Sequence, residues 1–258
     1  MHIIKDKYFI VRTGDFATNA NKKIAYFLLA CLLCIHDGIT NKNREYLEVM
    51  VGSSIIWTVV ELFLNETKVR IIKPMKITWN KQDLILNKYV GILFQGIQEG
   101  GVVTTIGLYF GDRFYSWFYQ LLYHGIIFYM MANMLNKKSD PTILSRRQIN
   151  TPVSLCLMSS ATFFNGLILI YNPNHFYRTL NMFIAMVYLC SIWTVISYCK
   201  GFRKVEVYLY NNNYTRKQNN LIDAFLILGY DVVFEIGIAY ITFYNMFVIP
   251  YNQVIKNN

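Results

Sequence analysis

Three polar side chains interrupt an apolar run around residue 99, and they are the first candidates for chemistry. The run GILFQGIQEGGVVTTIGLYFGDR, residues 91–113, holds Gln95, Gln98 and Glu99 near its middle. A stretch of this length can cross a bilayer, whose hydrocarbon core takes about 20 apolar residues. An ionised group at that depth costs about 2.5–3.5 kcal/mol and usually faces the bundle interior or a cavity. We therefore expect Glu99 and the two amides to line a buried acidic pocket.

A second acidic group lies in the last apolar run of the chain. Asp231 and Glu235 are four residues apart, which places them on one face of a helix, and Asp223 lies about two turns earlier. Like charges at this spacing repel each other. In a low dielectric such a pair shares a proton or holds a cation. We expect Asp231 and Glu235 to converge with Glu99 in one site.

Further polar side chains at membrane depth extend the predicted pocket. His124 lies halfway along the fourth apolar run, and Glu61 lies near the end of the second. No apolar run contains an interior Lys or Arg, so we expect protons, metal ions or a cationic ligand to neutralise these acids. The alternative is that protonated acids only join helices by hydrogen bonds.

Candidate metal ligands also occur beside the first apolar run. His36 and Asp37 could bind a metal ion or a lipid headgroup, and His124 is a further candidate ligand. An aqueous turn around Gly38 is the alternative interpretation.

The sequence excludes some cofactors and identifies none. The last apolar run has no lysine for a retinal Schiff base, so this is not a retinal protein. Glu99, Gly100 and Gly101 do not have the spacing of a nucleotide fingerprint.

The opposite face of the third apolar run carries small residues. At 100° per residue, Gly96, Gly100, Thr104, Gly107 and Gly111 gather on one side. Small residues at such spacing let a neighbouring helix approach closely. This face is therefore predicted to pack against other helices.

The overall composition places the chain in a membrane. Its 258 residues are 54% hydrophobic and 16% charged, with a mean hydropathy of +0.28, whereas soluble domains are about 25% charged. The net charge is +10, but the basic residues fall in short clusters between apolar runs. Anionic lipid headgroups, and not nucleic acid, are the expected partner.

The pattern of apolar runs predicts an all-α fold, a single integral membrane domain of seven transmembrane helices. No run alternates as a membrane barrel strand does, and helices satisfy their own backbone hydrogen bonds in lipid. A polar cytosolic tail at 1–23 precedes the first run. The predicted spans are near 24–40, 47–64, 89–111, 114–135, 153–171, 177–199 and 222–249.

The distribution of basic residues predicts the orientation of these spans. Of 25 Lys and Arg, 20 fall in the tail and the segments 65–88, 136–152 and 200–221, and 5 fall in the alternate segments. Cytoplasmic loops are enriched in Lys and Arg. The N-terminus is therefore predicted to be cytosolic and the C-terminus to face the other side. Alternating apolar residues before an Asn-rich turn also predict a short hairpin within 200–221.

Three functions fit this pattern. The first is binding or transport of a proton, a cation or a small ligand at the buried acids. The second is a metal-dependent enzyme that modifies lipid within the membrane. The third is a structural or assembly protein of an internal or viral membrane, in which the acids only lock helices together.

Overall fold

Seven helices form the body of the molecule. The computed structural model describes residues 5–13, 20–67, 74–136, 143–211, 213–218, 220–245 and 249. Two of the helices, α3 and α7, contain a π-helical segment in their middle and continue through it without a break. The helices are α1 (Ala20–Thr40), α2 (Glu45–Glu66), α3 (Lys88–Gly96, Ile97–Val102 and Val103–Asp112), α4 (Trp117–Leu135), α5 (Pro152–Tyr171), α6 (Phe176–Cys199) and α7 (Leu221–Tyr230, Asp231–Ile238 and Ala239–Phe243).

Five of these helices are long and apolar enough to cross a membrane by length and composition: α1, α2, α5, α6 and α7. The helices α3 and α4 occur where the sequence predicts spans, but they are less apolar. Amides, an acid and glycines lower the hydropathy of α3, and tyrosines and His124 lower that of α4. The predicted span 222–249 is described as helix as far as 245, and residues 246–248 lie outside the described residues.

Polar residues before three of the helices fix where they begin. The side chain of Asn87 accepts a hydrogen bond from the Tyr89 amide at the start of α3. Thr151 caps α5, where proline occupies the first helical position. Asn220 caps α7 through the Asp223 amide. These side chains satisfy backbone N–H groups that a helix cannot pair internally.

The prediction of an all-α fold is confirmed only in part, because the described residues are mostly helical but segments before and between the helices form two small sheets. The hairpin expected within 200–221 is confirmed, and the polar tail at 1–23 contributes a strand of its own. These segments alternate in hydrophobicity, which suits a sheet with one buried face. One sheet has the order β4-β1-β5-β6, and a separate hairpin pairs β2 with β3. The strands are β1 (Lys7–Thr13), β2 (Lys76–Trp79), β3 (Gln82–Ile85), β4 (Ile143–Gln148), β5 (Arg203–Asn211) and β6 (Asn213–Lys217).

One face of the four-stranded sheet packs against the first half of α7. All pairings in this sheet are antiparallel. Residues directly opposite each other share a face of the sheet, so the register gathers the buried apolar side chains on one side. These side chains belong to one cluster with the apolar stripe of α7. The cluster contains Tyr8, Ile10, Ile149, Val205 and Val207 from the sheet side, and Ala224, Ile227 and Leu228 from α7.

The sheet also gathers segments that are far apart in the sequence. Its strands come from the tail, from 136–152 and from 200–221, three of the four basic segments predicted to share one side. The fourth basic segment carries β2 and β3, and the Asn21 side chain at the start of α1 bonds to the Thr78 backbone. The described strands of the four basic segments therefore lie at one end of the helix bundle.

The glycine-rich face of α3 contacts two neighbouring helices. A Cβ atom added at Gly96 or Gly100 would collide with α2, and one added at Gly107 or Gly111 would collide with α6. The prediction of close helix packing on this face is confirmed. At Gly111 the obstacle is backbone, because the added atom would lie 2.7 Å from the Met182 nitrogen.

This packing gives a matched pair of glycine substitutions. Gly111→Ala should destabilise the protein by about 1–3 kcal/mol, because α3 and α6 must separate. Gly125→Ala on α4 meets no atom within 4 Å, so it should be neutral or stabilise by up to about 1 kcal/mol through helix propensity. Thermal unfolding of both variants in detergent measures the difference. Equal melting temperatures would contradict the close α3–α6 contact.

Candidate functional site

The predicted acidic residues lie in the two π-helical segments. The segment Ile97–Val102 of α3 contains Gln98 and Glu99, and the segment Asp231–Ile238 of α7 begins with Asp231 and contains Glu235. Such segments are rare and occur frequently at functional sites. Sequence analysis missed them because it assumed 100° per residue, whereas a π-helix turns less at each residue.

Asp231 is fully buried and is bound by two arginines. Its side chain is 1% exposed. Arg203, at the start of β5, donates from Nη1 to Asp231 Oδ2 at 2.8 Å and also to the Thr194 hydroxyl at 2.9 Å. Arg147 of β4 donates from Nη2 to Asp231 Oδ1 at 2.7 Å. Both carboxylate oxygens of Asp231 are therefore hydrogen-bonded to cations.

Arg147 also joins the second carboxylate of α7 to the same group. Its Nη2 donates to Glu235 Oε2, and the Ser154 hydroxyl of α5 donates to Glu235 Oε1 at 3.3 Å. Arg147 lies between the two acids and offsets the repulsion that their spacing would otherwise produce. The pair is thus bridged by a guanidinium.

Glu99 of α3 belongs to the same neighbourhood. It accepts a hydrogen bond from the Gln95 amide and has Arg12 Nη1 at 3.7 Å from Oε1. Lys23 Nζ donates to Gln95 Oε1 at 2.7 Å. Arg12 also interacts electrostatically with Asp231. Arg12 therefore interacts with carboxylates of both the third and the last helix.

The register of the sheet explains why three arginines meet here. Arg12 lies opposite Arg203, and Arg147 lies opposite Ile10 on the same face. This is the face that packs on α7, so its apolar end meets Ala224, and its basic end meets Asp231. We call the resulting group the sheet-side ion network. It consists of Arg12, Arg147, Arg203, Glu99, Asp231 and Glu235.

The expectation that protons, metal ions or a cationic ligand neutralise these acids did not include the arginines that lie beside them. Three guanidinium groups balance three carboxylates. The sequence argument failed because it searched for basic residues only within the apolar runs. The cations come instead from segments that were counted as cytosolic loops. The alternation of KYFIVRT and RKVEVYLYN was the available signal, since it places Arg12 and Arg203 on the buried faces of their strands.

The remaining predicted pocket residues have separate surroundings. His124 Nδ1 lies 2.7 Å from the Gln120 carbonyl oxygen of its own helix, and its ring packs 5.5 Å from that of Tyr188. Glu61 is buried in α2. Gln98 Oε1 is buried and has no hydrogen-bond partner within the part of the chain that the structure describes.

His36 and Asp37 lie at the opposite end of the bundle from the sheet. They belong to the last turns of α1, so the aqueous turn proposed for them is not observed. His36 Nδ1 lies 2.9 Å from the Tyr109 hydroxyl. Asp37 is buried and accepts hydrogen bonds from Arg113 and from Asn41 at 2.6 Å. Among the described residues, no group of three or more His, Cys, Asp and Glu could hold a metal ion.

These residues belong to a second polar cluster that sequence analysis missed. Arg113 Nη1 donates to the Tyr46 hydroxyl at 3.1 Å, and that hydroxyl donates to Asp112 at 2.6 Å. Arg178 donates to Asp112 and Glu45, with distances of 2.7 Å to each. We call this group the far-side ion network. It consists of Asp37, Glu45, Tyr46, Asp112, Arg113, Arg178 and Tyr244.

The far-side ion network was missed because its members stand at helix ends. Charged residues at such positions usually face solvent, so their types and spacing gave no signal. Here, however, Arg178 reaches from α6 to α2, α3 and α7 through Glu45, Asp112 and the Tyr244 hydroxyl. The Arg113 guanidinium lies 3.8 Å from the ring centroid of Tyr109.

The same helices take part in both networks. On α3, Glu99 and Asp112 are separated by 13 residues, which is about 20 Å along a helix. On α6, Thr194 contacts the sheet-side network and Arg178 belongs to the far-side network. On α7, Asp231 belongs to the sheet-side network and Tyr244 belongs to the far-side network.

Uncharged polar groups lie along α2 and α3 between the two networks. Each has a buried side-chain atom with no hydrogen-bond partner within the described ranges. An unpaired buried polar group costs about 1–3 kcal/mol, so each of these atoms lacks a hydrogen bond that would favour its burial. They are Ser53 Oγ, Trp57 Nε1, Gln98 Oε1, Thr104 Oγ1 and Thr105 Oγ1.

No protein family, curated protein or solved structure matches this chain. Its function has to be argued from the two networks and from the polar groups between them. A role for the networks requires strong coupling within their buried ion pairs, such as Arg203 with Asp231.

The coupling of Arg203 to Asp231 can be measured by substitution. Arg203→Gln should lower the free energy of unfolding by roughly 3–5 kcal/mol, because it removes one partner of a buried pair. The matched control is Arg216→Gln on β6, whose side chain is 62% exposed and lies 3.3 Å from Glu206. The control should cost less than about 1 kcal/mol. Thermal and denaturant unfolding in detergent report both values.

A double substitution separates the ion pair from simple packing loss. Adding Asp231→Asn to Arg203→Gln removes the buried charge that the first change leaves underpaired, so stability should partly recover. Strict additivity of the two changes would show that the residues are not coupled.

Proposed function

We propose that this chain is an integral membrane protein that binds a small polar solute in its interior and moves it across the membrane. The sheet-side and far-side ion networks act as its two gates. The observation that carries the proposal is that α3, α6 and α7 each contribute to both networks, at opposite ends of the bundle.

Ion networks suit gating because they have discrete closed arrangements. Alternating access needs one end of a site to open while the other stays closed. Opening the sheet side would separate the sheet from Asp231, and opening the far side would separate α6 from Glu45 and Asp112. Either step exchanges charge-assisted hydrogen bonds for water.

The π-helical segments supply places where α3 and α7 can bend. A π-helix replaces the usual backbone hydrogen bonds with a less stable pattern, and kinks form at such positions. Each segment contains the carboxylates that its helix gives to the sheet-side network and precedes the residue that the helix gives to the far-side network. The sheet-side half of α3 can therefore reorient relative to the half that carries Asp112.

The groups between the gates indicate the chemistry of the solute. They are hydroxyls, an indole N–H and an amide oxygen, which bind by hydrogen bonds and carry no charge. This set favours a neutral or zwitterionic hydrogen-bonding solute. A bare cation or a proton would have to compete with three arginines for the acids. A metal-dependent lipid enzyme has no supporting ligand group among the described residues.

The orientation of the chain is part of this proposal. The sheet end carries the basic segments and is placed on the cytosolic side by the preference of Lys and Arg for that side. Anionic headgroups of that leaflet are its expected lipid partners.

A structural or assembly role is the second candidate function. It is favoured by the complete pairing of Asp231 and Glu235, because fully satisfied ion pairs can simply hold the sheet on the bundle. In that case Glu99→Gln would leave transport and gate accessibility unchanged.

Cysteine accessibility distinguishes gates from static locks. The five native cysteines are replaced by serine, and Thr104→Cys places one thiol between the networks. In proteoliposomes the thiol should be unreactive to an impermeant reagent from either side. Arg203→Gln should make it reactive from the sheet side only, and Arg178→Gln from the far side only. Arg216→Gln is the matched control and should change nothing.

Uptake assays then determine which class of solute is transported. Radiolabelled neutral and zwitterionic amino acids and polyols are offered to proteoliposomes containing the native chain. Arg203→Gln should abolish the coupled uptake of any solute that the native chain takes up. If all gate variants fold and the thiol stays unreactive from both sides, the gates do not exist and the structural role is favoured.

A further inference from the structure

The hairpin of β2 and β3 has two chemically different faces. Its strands are joined by the two-residue turn Asn80-Lys81, in which both residues have positive φ, 48° and 64°. This is the geometry of a tight hairpin turn that matches the twist of its strands. Residues opposite each other share a face, so Ile77 and Leu84 lie on the same side as Trp79.

The other face is polar and internally satisfied. Lys76 Nζ donates to Asp83 at 2.9 Å, and the Thr78 hydroxyl donates to it at 2.7 Å. The Lys76 hydrogen bond, with that of Thr78, holds the pKa of Asp83 below its ordinary value. This face, which also includes Ile85 at its base, needs no further partner for its charges.

The apolar face is exposed, and the bundle holds it in a fixed place. Trp79 is 75% exposed and Leu84 is 64% exposed. A lone hairpin is marginally stable in water, but Asn21 pairs with both the N–H and the carbonyl of Thr78 at 2.9 Å. The hairpin is thus fixed to the first turn of α1, with its apolar face open.

We propose that this apolar face, Ile77, Trp79 and Leu84, inserts into the boundary between headgroups and acyl chains of an anionic leaflet. The proposal needs the chain to be in a membrane, but it does not depend on the gates.

Three observations favour lipid as the occupant. The hairpin leads directly into α3, whose first-turn residues Tyr89 and Val90 are 61% and 38% exposed, so exposed apolar side chains continue along the chain into that helix. Tryptophan is enriched at membrane interfaces because its ring is apolar and its N–H is polar. Lys81 at the tip of the hairpin provides positive charge for anionic headgroups.

Fluorescence of Trp79 tests this placement. The other tryptophans, Trp57, Trp117 and Trp193, are replaced by phenylalanine, and the full chain is placed as single copies in lipid nanodiscs. In discs of phosphatidylglycerol and phosphatidylcholine, Trp79 emission should be blue-shifted and quenched by lipids brominated near the headgroup. Emission typical of hydrated tryptophan, without quenching, would overturn the proposal. Blue-shifted emission that no brominated lipid quenches would overturn it too, because protein would then cover the face.

Two adjacent substitutions provide a matched control for the face itself. Leu84→Lys and Ile85→Lys change similar side chains that are 64% and 71% exposed but lie on opposite faces. Leu84→Lys should reduce quenching of Trp79 severalfold, whereas Ile85→Lys should leave most of it. Equal effects of the two changes would show that this face makes no specific contact and would overturn the assignment. Both variants retain the ion pair of Lys76 with Asp83, so the hairpin should fold equally well in both.

Discussion

The contact between the arginines of the sheet and the carboxylates of α7 is the interaction on which the rest of the structure depends. A buried carboxylate without a partner costs several kcal/mol, and so does a buried guanidinium. Asp231 at 1% exposure and Arg203 at 8% can therefore be buried only together. Their pairing fixes the sheet on the bundle, and Arg12 brings Glu99 of α3 to the same place.

This pairing also explains the composition of α7. Its first half presents Ala224, Ile227 and Leu228 to the sheet, and the same stripe continues into Asp231 and Glu235. The sheet changes from apolar to basic at the same level. A shift of one residue in strand register would turn every side chain to the other face. The arginines would then point away from α7, so the ion network specifies the register as well as the docking.

The sequence predicted the parts of this fold that depend on local patterns. Seven helices, the hairpin within 200–221 and the close-packed glycine face of α3 all follow from local patterns of apolar, alternating and small residues. The sheet as a whole could not be predicted in the same way. It joins β1, β4 and β5 across more than a hundred residues, and its pairing depends on tertiary contacts that no local window contains. The far-side ion network was hidden for the same reason, since Arg178 and Glu45 meet only when α2 and α6 pack.

Under the proposed gating, the two networks constrain what a solute must do. Each closed network is stabilised by several charge-assisted hydrogen bonds, so water alone opens it rarely. A solute shifts the equilibrium between the closed and open gate only if it binds the two states with different affinities. Each tenfold ratio of these affinities shifts the equilibrium by about 1.4 kcal/mol. Because α3 and α7 each contribute to both networks, a rigid tilt of these helices that separates one end would press the other end together. The energy that opens one gate therefore also holds the second gate closed, and this prevents a continuous leak through the bundle.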